Sequence, residues 1–390
     1  MDKFEKLDVP DKEKLSEVQK LCDTRNPYLA GEEADTLFLK AMKQILHWHY
    51  EKSEFYRKLI DKSALDIDSV NSIQDCIKIP FLHANFFKTH EIKSLPDEMI
   101  DSVFTSSGTT GQKSQMFFDY WSIRAGRRMV DFVYDYYGLY TDKQANYLIS
   151  NYEPYEGSHH GATNTAKYLS KYAPAKNINF TLRKSGNGKH EFDIFGSIAR
   201  LQEYEEEGLP VRIIGFPSFV YFILERMKAL GTNKLKLNPD SFVLLIGGWK
   251  GAADKQIPKN EMYNLITELL GIPGENCRDG YGSVEHSVPY FECANHNMHV
   301  PVWSRMFVRD VKTLEVLDYN NPGFANFVTP YLTSVPNVSV MMGDLVAMHS
   351  NEECGCGIQT PYFEILGRAG TTKSKSCAVS AAELLGKETV

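Results

Sequence analysis

The sequence predicts an α/β fold in which helices cover layered sheets with at least partly parallel strands. Three short apolar runs rich in β-branched residues, NYLIS (146–150), VRIIGF (211–216) and SFVLLIGG (241–248), have the character of buried strands. The segments between them, 195–208 and 219–231, carry apolar residues at helical spacing. Strands that alternate with helices favour a sheet in which neighbouring strands run parallel.

The chain divides into three parts by pattern. Residues 1–100 are predicted to be mainly helical, because apolar residues in 34–60 recur at helical spacing. Residues 101–366 are predicted to form the core that holds the functional site. The small, polar residues of 367–390 predict a short mobile tail.

Within the core, the sequence predicts a strand and a helix before the alternating segments, and short strands after them. VFTSS (103–107) predicts a short strand, and residues 121–137 predict a helix. After the strand–helix alternation, the pattern changes at about Val300. From there short strands separated by turns are predicted, for example in 324–332 and 337–348.

Composition excludes several classes of protein. The chain has 390 residues, 43% of them hydrophobic, which suffices for a substantial core. Its formal net charge of −7 argues against nucleic acid as the main partner. The charged N-terminal residues contain no apolar signal region, and every apolar run is too short to cross a bilayer. We therefore expect a cytoplasmic protein whose seven cysteines do not form structural disulfides.

A loop rich in hydroxyls and glycine follows the first core strand. In FTSSGTTGQKSQ (104–115), inward-facing N–H groups, hydroxyls and a lysine are suited to binding phosphate. An exposed polar turn is the alternative reading of such a string. The usual P-loop is not matched, because Gln112 stands where that motif has glycine before Lys113.

The string SSGTTGxKS directly after a strand resembles the phosphate loop of acyl-adenylate-forming enzymes, which include acyl-CoA ligases, luciferases and nonribosomal adenylation domains. Further motifs resemble that superfamily and follow in its order: GGWKG (247–251), YGSVEHS (281–287), MGDLV (342–346) and Gly367-Arg368. Singly, each is a common turn or strand exit, but four in order over most of the chain are not well explained that way.

The resemblance implies a nucleotide site for ATP and Mg²⁺. In it Tyr281 flanks the adenine, Glu285 holds magnesium and Asp344 binds the ribose hydroxyls. Val284 departs from the pattern, since threonine is usual there. The full set of implied nucleotide-binding residues is Ser106, Ser107, Gly108, Thr109, Thr110, Gly111, Lys113, Gly247, Gly248, Trp249, Tyr281, Gly282, Asp344 and Arg368.

The chemistry explains these residue types. A carboxylate must attack the α-phosphorus of ATP, and the two anions repel each other. Magnesium on Glu285 and the cation of Lys113 neutralise charge, and the loop prepares pyrophosphate to leave.

Two further segments resemble parts of the superfamily's carboxylate pocket. The GFPSF segment supplies Gly215, Phe216 and Pro217, and the EGSHHGA segment supplies His159 and His160. Either histidine is placed by the resemblance to steer the acid, although a surface turn explains HHG equally well.

A cysteine cluster near the C-terminal end suggests a structural zinc site. Cys293 and His299 stand six residues apart, and Cys354 and Cys356 form a CxC. Three thiolates and one imidazole are a standard closed set for zinc, with reduced core cysteines as the alternative. Phenylacetate-CoA-ligase-like proteins carry a similar arrangement of cysteines and histidine. In this sequence His296 is an alternative to His299.

The end of the sequence departs from the usual CoA ligase. Such enzymes continue for about a hundred residues after the GR dipeptide in a small domain, whereas 22 residues follow Arg368 here and the aspartate that usually follows the dipeptide is absent. The chain resembles instead the acyl-protein synthetase, or luciferin-component ligase, family of bacterial fatty-acid reductase systems. That resemblance implies that the acyl group passes to Cys377, beside Lys373 and Lys375, and then to a reductase partner that makes an aldehyde.

Three functions therefore compete. The first is an ATP-dependent acyl-protein synthetase that uses a fatty acid and carries the acyl group as a thioester on Cys377. The second is an acyl- or aryl-CoA ligase with a reduced C-terminal domain. The third is a nucleotide-binding scaffold or inactive regulatory subunit. Lys113, Glu285 and Asp344 favour the first over the third.

Overall fold

The structure is a computed structural model that describes residues 4–105, 115–154, 168–186, 189–249 and 251–368. In these residues the α-helices are α1 (Ser16–Cys22), α2 (Glu32–Lys52), α3 (Glu54–Ser63), α4 (Tyr120–Tyr136), α5 (Ile194–Glu207), α6 (Pro217–Ala229), α7 (Lys259–Leu270) and α8 (Asn351–Cys354). The strands are β1 (Leu82–His83), β2 (Ile100–Thr105), β3 (Gln115–Asp119), β4 (Ala145–Tyr152), β5 (Ala175–Lys184), β6 (His190–Phe192), β7 (Val211–Gly215), β8 (Phe242–Ile246), β9 (Cys277–Tyr281), β10 (Tyr290–Phe291), β11 (Met298–His299), β12 (Arg305–Arg309), β13 (Val316–Leu317), β14 (Gly323–Val328), β15 (Ser339–His349) and β16 (Tyr362–Arg368). Among the helices of these ranges, none is long and apolar enough to cross a membrane.

The chain forms two compact units. The first contains Met1–Tyr136, Gly282–Tyr290 and Asn297–Val390, and the second contains Tyr137–Tyr281 and Phe291–His296. The chain thus leaves the second unit at Tyr281 and returns to it for six residues from Phe291.

The second unit is built on the predicted parallel sheet. Strands β9, β8, β7, β4 and β5 are neighbours in that order and all run parallel, and β6 adds an antiparallel edge. Helices α5, α6 and α7 bury apolar residues such as Leu201, Ile223 and Ile266 in one core with these strands. Several ends of these helices have suitable capping residues. Asp193 caps the start of α5, and Gly208 and Gly271 take left-handed conformations directly after the last residues of α5 and α7.

The first unit contains a mixed sheet with the order β11-β16-β15-β14-β12-β13, and β1 pairs in parallel with β15. Strands β2 and β3 form a separate antiparallel hairpin on either side of residues 106–114. The helical pattern predicted over 34–60 is present, but Ser53 divides it into α2 and α3. The Ser53 side chain accepts a hydrogen bond from Tyr56 N and so caps α3.

The structure fixes the end of one predicted strand. The pattern in 324–332 predicts a short strand without fixing its end, and β14 ends at Val328, after which the residues through Val338 are buried outside any strand. Pro330 has no N–H for a ladder. The segment is held by scattered contacts: Trp48 Nε1 donates to Thr333 O at 2.9 Å, Thr333 Oγ1 donates to Asp119 Oδ2 at 2.9 Å and Ser94 N donates to Ser334 O at 2.7 Å.

A buried histidine beside this segment predicts acid sensitivity. His49 in α2 is fully buried, with Nδ1 2.7 Å from Ser94 Oγ and Nε2 2.9 Å from Leu332 O. Burial lowers its pKa from the ordinary 6.5 to about 3. The unfolded chain therefore binds a proton below pH 6.5 that the folded chain does not, so stability falls as the pH drops from 6.5 towards 3.

We expect His49→Gln to reduce the loss of unfolding free energy between pH 7.5 and pH 5 by about 2 kcal/mol. Urea unfolding at the two pH values measures the effect. His47→Gln is the matched control, because His47 is exposed beside Asp68. An unchanged pH dependence in the His49 variant would contradict the prediction.

Candidate functional site

The carboxyl edge of the parallel sheet gathers the predicted residues of the second unit. Strand β7 ends at Gly215, β8 ends just before Gly247 and β9 ends at Tyr281. The strand ends lie side by side, because Gly215 pairs with Leu245 and Ile246 pairs with Gly280. Ligands of open α/β sheets bind at this edge. The adenine-side loop and the acyl-pocket segment predicted from sequence therefore lie at the same edge of the sheet.

The segment around Gly215 is fixed to the neighbouring strand β4. Gly215 has a φ of +136°, and a Cβ there would overlap the carbonyl oxygen of Ser150. Phe216 N donates to Ser150 O at 2.8 Å, and Ser150 Oγ donates to Phe216 O at 2.9 Å. Pro217 then occupies the first turn of α6, where its missing N–H costs nothing. Only glycine permits this close approach.

The loop after β8 is held by an aromatic contact. Gly247 and Gly248 are exposed and have φ values of 85° and 69°. The ring of half-buried Trp249 packs against Tyr221 of α6, with centroids 5.4 Å apart. The loop is thus anchored at its tryptophan while its two glycines face solvent.

The first unit contains the remaining described nucleotide candidates. Asp344 on β15 lies opposite Arg368 on β16, and Asp344 Oδ1 is 3.7 Å from Arg368 Nε. Glu285 is buried and its backbone carbonyl accepts a hydrogen bond from Asn337 Nδ2. The next residue, His286, is also buried, and burial lowers its pKa to about 3. It therefore stays neutral and adds no positive charge beside Glu285.

Three of the predicted zinc ligands meet in the first unit. His299 Nε2 lies 3.2 Å from Cys354 Sγ and 3.3 Å from Cys356 Sγ. Strand β11 carries His299, whereas Cys354 ends the short helix α8 and Gly355 turns the chain back in a left-handed conformation. The separations are close to the roughly 3.5 Å edge expected between nitrogen and sulfur on a zinc tetrahedron.

The surroundings of these three groups fit a cation. His299 Nδ1 lies 2.6 Å from Thr360 O and donates its proton to that carbonyl. Nε2 is then unprotonated and has a lone pair available for a metal ion. Burial lowers the pKa of His299, which keeps the imidazole neutral. N–H groups point at both sulfurs: Asn297 Nδ2 at 3.2 Å from Cys354 Sγ and Ile358 N at 3.5 Å from Cys356 Sγ. Such donors stabilise thiolates.

Cys293 and His296 belong to the second unit. Cys293 is buried and its carbonyl accepts a hydrogen bond from His296 N at 3.0 Å. The His296 ring packs against Tyr263, with centroids 4.7 Å apart, and lies 3.8 Å from Glu292. His299, in contrast, is the histidine that stands with Cys354 and Cys356.

Several predicted site residues lie outside the described residues. They are the phosphate-loop residues Ser106, Ser107, Gly108, Thr109, Thr110, Gly111 and Lys113, the two histidines His159 and His160, and the acceptor Cys377.

The buried acidic residue Glu292 was not among the site residues predicted from the sequence. Glu292 is fully buried, and its carboxylate contacts Lys259 and Tyr263 of α7. Burial alone raises its pKa, but His296, Lys259 and Tyr263 outweigh burial and hold the pKa below its usual range. Burial, and then the charge of Glu292, raises the pKa of neighbouring Asp279. The one signal in the sequence is an acidic residue next to Cys293.

Comparison with known proteins identifies the family. The family model described as "Acyl-protein synthetase, LuxE" matches residues 7–386. The chain belongs to the LuxE acyl-protein synthetase family. Membership makes it an adenylate-forming ligase of an ATP-dependent family, and it confirms the family predicted from the phosphate-loop string and the later motifs.

Known relatives agree with this family. The long-chain-fatty-acid–luciferin-component ligase of Vibrio harveyi is 25% identical over 353 residues, which cover 90% of this chain and 89% of that protein. The phenylacetate-coenzyme A ligase of Thermus thermophilus is 23% identical over 349 residues, which cover 87% of this chain and 71% of that protein.

Solved structures show the same fold. An open conformation of 2-hydroxyisobutyryl-CoA ligase, in complex with 2-HIB-AMP and CoA, superimposes with a TM-score of 0.64 at 17% identity. The match covers 91% of this chain and 80% of that one. The α/β, adenylate-forming fold predicted from sequence is thereby confirmed.

Proposed function

We propose that this protein activates a fatty acid with ATP and Mg²⁺ and then carries the acyl group on its own Cys377. The carboxylate displaces pyrophosphate from ATP to give acyl-AMP. The Cys377 thiolate then attacks the acyl carbon, and AMP leaves as the thioester forms. The observation that carries the proposal is the family match over residues 7–386, a span that includes Cys377.

In the first half-reaction we assign the nucleotide to the motifs predicted from the sequence. Tyr281 and the Gly247–Trp249 loop hold the adenine, and Asp344 binds the ribose hydroxyls beside Arg368. The grouping of β8 and β9 at one sheet edge supports the adenine assignment. The 3.7 Å pair between Asp344 and Arg368 supports a shared ribose role.

The charge-handling residues complete this half-reaction. Glu285 holds Mg²⁺, and Lys113 with the hydroxyls of 106–110 binds the departing pyrophosphate. The acid enters beside Gly215–Pro217 with His159 or His160 near its carboxylate. The fixed geometry of the Gly215 segment, in which both the N–H and the carbonyl of Phe216 are hydrogen-bonded to Ser150, supports a preformed pocket wall.

In the second half-reaction Cys377 is the acceptor. A thiolate is a strong nucleophile towards an acyl carbon, and a sequence that places Lys373 and Lys375 near Cys377 suits a thiolate acceptor. The thioester is then handed to a reductase partner, which makes the aldehyde.

One assay tests this sequence of steps. The protein is incubated with ATP, Mg²⁺ and labelled fatty acids of several lengths, with and without coenzyme A. We expect pyrophosphate release and label that remains on the denatured protein and is released by neutral hydroxylamine. Label that appears only on coenzyme A would overturn the proposal.

A second candidate is acyl-CoA formation. The phenylacetate-coenzyme A ligase relative from Thermus thermophilus favours it. The coenzyme A arm of the same assay separates the two candidates. Adenylate formation without transfer to protein or coenzyme A would support neither acceptor. If no adenylate forms at all, the result would favour a nucleotide-binding scaffold or inactive regulatory subunit.

We also propose a structural zinc ion on Cys293, His299, Cys354 and Cys356. The convergence of three of these groups, the fixed tautomer of His299 and the N–H donors to both sulfurs support it. Four protein ligands close the coordination shell, so the ion stabilises the fold and takes no part in the reaction.

The zinc proposal predicts a loss of metal and stability together. We expect about one zinc per purified wild-type chain. In Cys354→Ser we expect a zinc content near zero and a thermal midpoint of unfolding several degrees below that of the wild type. Elemental analysis and thermal unfolding measure these effects. Cys76→Ser is the control, because Cys76 is a buried cysteine that does not belong to this cluster. A metal-free wild type, or an unchanged zinc content in Cys354→Ser, would contradict the prediction.

A further inference from the structure

Glu292 joins separate segments of the second unit. Its fully buried carboxylate accepts hydrogen bonds from the Tyr263 hydroxyl in α7 at 2.7 Å and from Asp279 N in β9 at 2.8 Å. The other carboxylate oxygen forms an ion pair with Lys259 at the start of α7. A buried charge is tolerated when its lone pairs are satisfied in this way.

The main chain of Glu292 is fixed to the same strand. Glu292 N donates to Asp279 O at 3.0 Å, and Arg278 Nη1 donates to Glu292 O at 2.9 Å. Lys259 Nζ also donates to His296 O at 2.8 Å, which closes the turn that follows Glu292. Asp279 is therefore held through both its N–H and its carbonyl.

This attachment lies two residues from the end of β9. Gly280 separates Asp279 from Tyr281, and its surroundings leave no room for a side chain. A Cβ at Gly280 would lie 2.8 Å from Ile246 Cγ2 and 3.2 Å from the Phe291 ring. Because the strand end is packed this tightly, a displacement at Asp279 is transmitted to Tyr281.

An apolar cluster would hold β9 and α7 together equally well or better. Replacing buried ionic groups by packed apolar residues is often neutral or stabilising. What a fully satisfied network adds is a single geometry for the segments it connects. The segment that benefits here is the strand end that carries Tyr281.

We propose that Glu292 is a positioning residue for nucleotide binding. Its hydrogen bonds to Asp279 fix the Tyr281 end of β9 in the position that contacts the adenine. The inference rests on the adenine role proposed above for Tyr281. Glu292 touches no reactant and acts through β9. It should therefore affect ATP affinity and leave the affinity for the acid unchanged.

ATP–pyrophosphate exchange with a fatty acid tests the proposal. We expect Glu292→Ala to raise the KM for ATP about tenfold and to leave the KM for the acid within about twofold. Glu292→Gln keeps an oxygen for Tyr263 and Asp279 N, so its KM for ATP should stay within about threefold of wild type. Glu268→Ala is the matched control, because Glu268 is an exposed acid of the same helix.

Each outcome decides the proposal. A folded Glu292→Ala protein with an unchanged KM for ATP overturns it, as does an equal rise in both KM values. If Glu292→Ala does not fold, Tyr263→Phe decides, since it removes one donor that orients Glu292 and should raise the KM for ATP about threefold. An unchanged value there overturns the proposal.

Failure of the proposed function is distinguished by the wild-type protein. Exchange that is absent with every acid refutes adenylate formation and not the positioning role. Equilibrium dialysis of ATP against the same variants then decides the positioning role, with weaker binding by Glu292→Ala as the expected result.

Discussion

Cys377→Ser should abolish the hydroxylamine-labile acyl label on the protein while ATP–pyrophosphate exchange continues at close to the wild-type rate. The thioester needs the sulfur of this residue, whereas adenylate formation needs no nucleophile from the protein. A serine hydroxyl is not ionised at neutral pH and accepts the acyl group far more slowly than a thiolate. Loss of label with retained exchange therefore separates the two half-reactions.

The neighbouring Ser376→Ala variant is the matched control, because it changes the same stretch and keeps the thiol. Gel autoradiography after denaturation measures the label, and exchange of labelled pyrophosphate into ATP measures the first step. Full labelling of the Cys377→Ser protein would show that another residue accepts the acyl group. Loss of exchange in that variant would show that Cys377 takes part in adenylation.

Glu285→Gln should lower the rate of pyrophosphate exchange about a hundredfold, which corresponds to roughly 3 kcal/mol of transition-state stabilisation. The amide keeps the shape of the side chain and removes the charge that the proposed Mg²⁺ ion needs. The backbone contact between Glu285 O and Asn337 does not depend on the side chain, so the fold should be retained.

Raising the Mg²⁺ concentration should recover part of the lost activity of Glu285→Gln, because the defect is in metal binding. Glu315→Gln makes the same chemical change at an exposed position of the first unit and should leave exchange unchanged. A Glu285→Gln protein with wild-type kcat and wild-type Mg²⁺ dependence would exclude the proposed metal role.

The local patterns of the sequence were sufficient for much of the fold. Alternating strands and helices over 146–248 predicted the parallel sheet, because buried strands and amphipathic helices each have their own periodicity. The end of β14 at Val328 was not predicted from the same kind of pattern. The following segment is buried and forms hydrogen bonds with Trp48 of α2 and with Asp119, which are far away in sequence.

The site shows the same division. Residue type predicted a set of metal ligands made of Cys293, His299, Cys354 and Cys356, since Cys and His ligands are recognisable by type. The choice between His296 and His299 as partner of the two cysteines came from the geometry, because both histidines follow Cys293 within six residues. The phosphate loop and Cys377 are still known from sequence alone.

The sequence by itself determined the family, the order of its motifs and the chemistry proposed for each end of the chain. Those features are carried by residue type and short-range spacing. Only the tertiary structure revealed that the Glu292 carboxylate accepts a hydrogen bond from Asp279 N and contacts Lys259 and Tyr263. These residues are separated by 13 to 33 positions along the chain. Their proximity results from packing of α7 against β9, a long-range contact that no local pattern encodes.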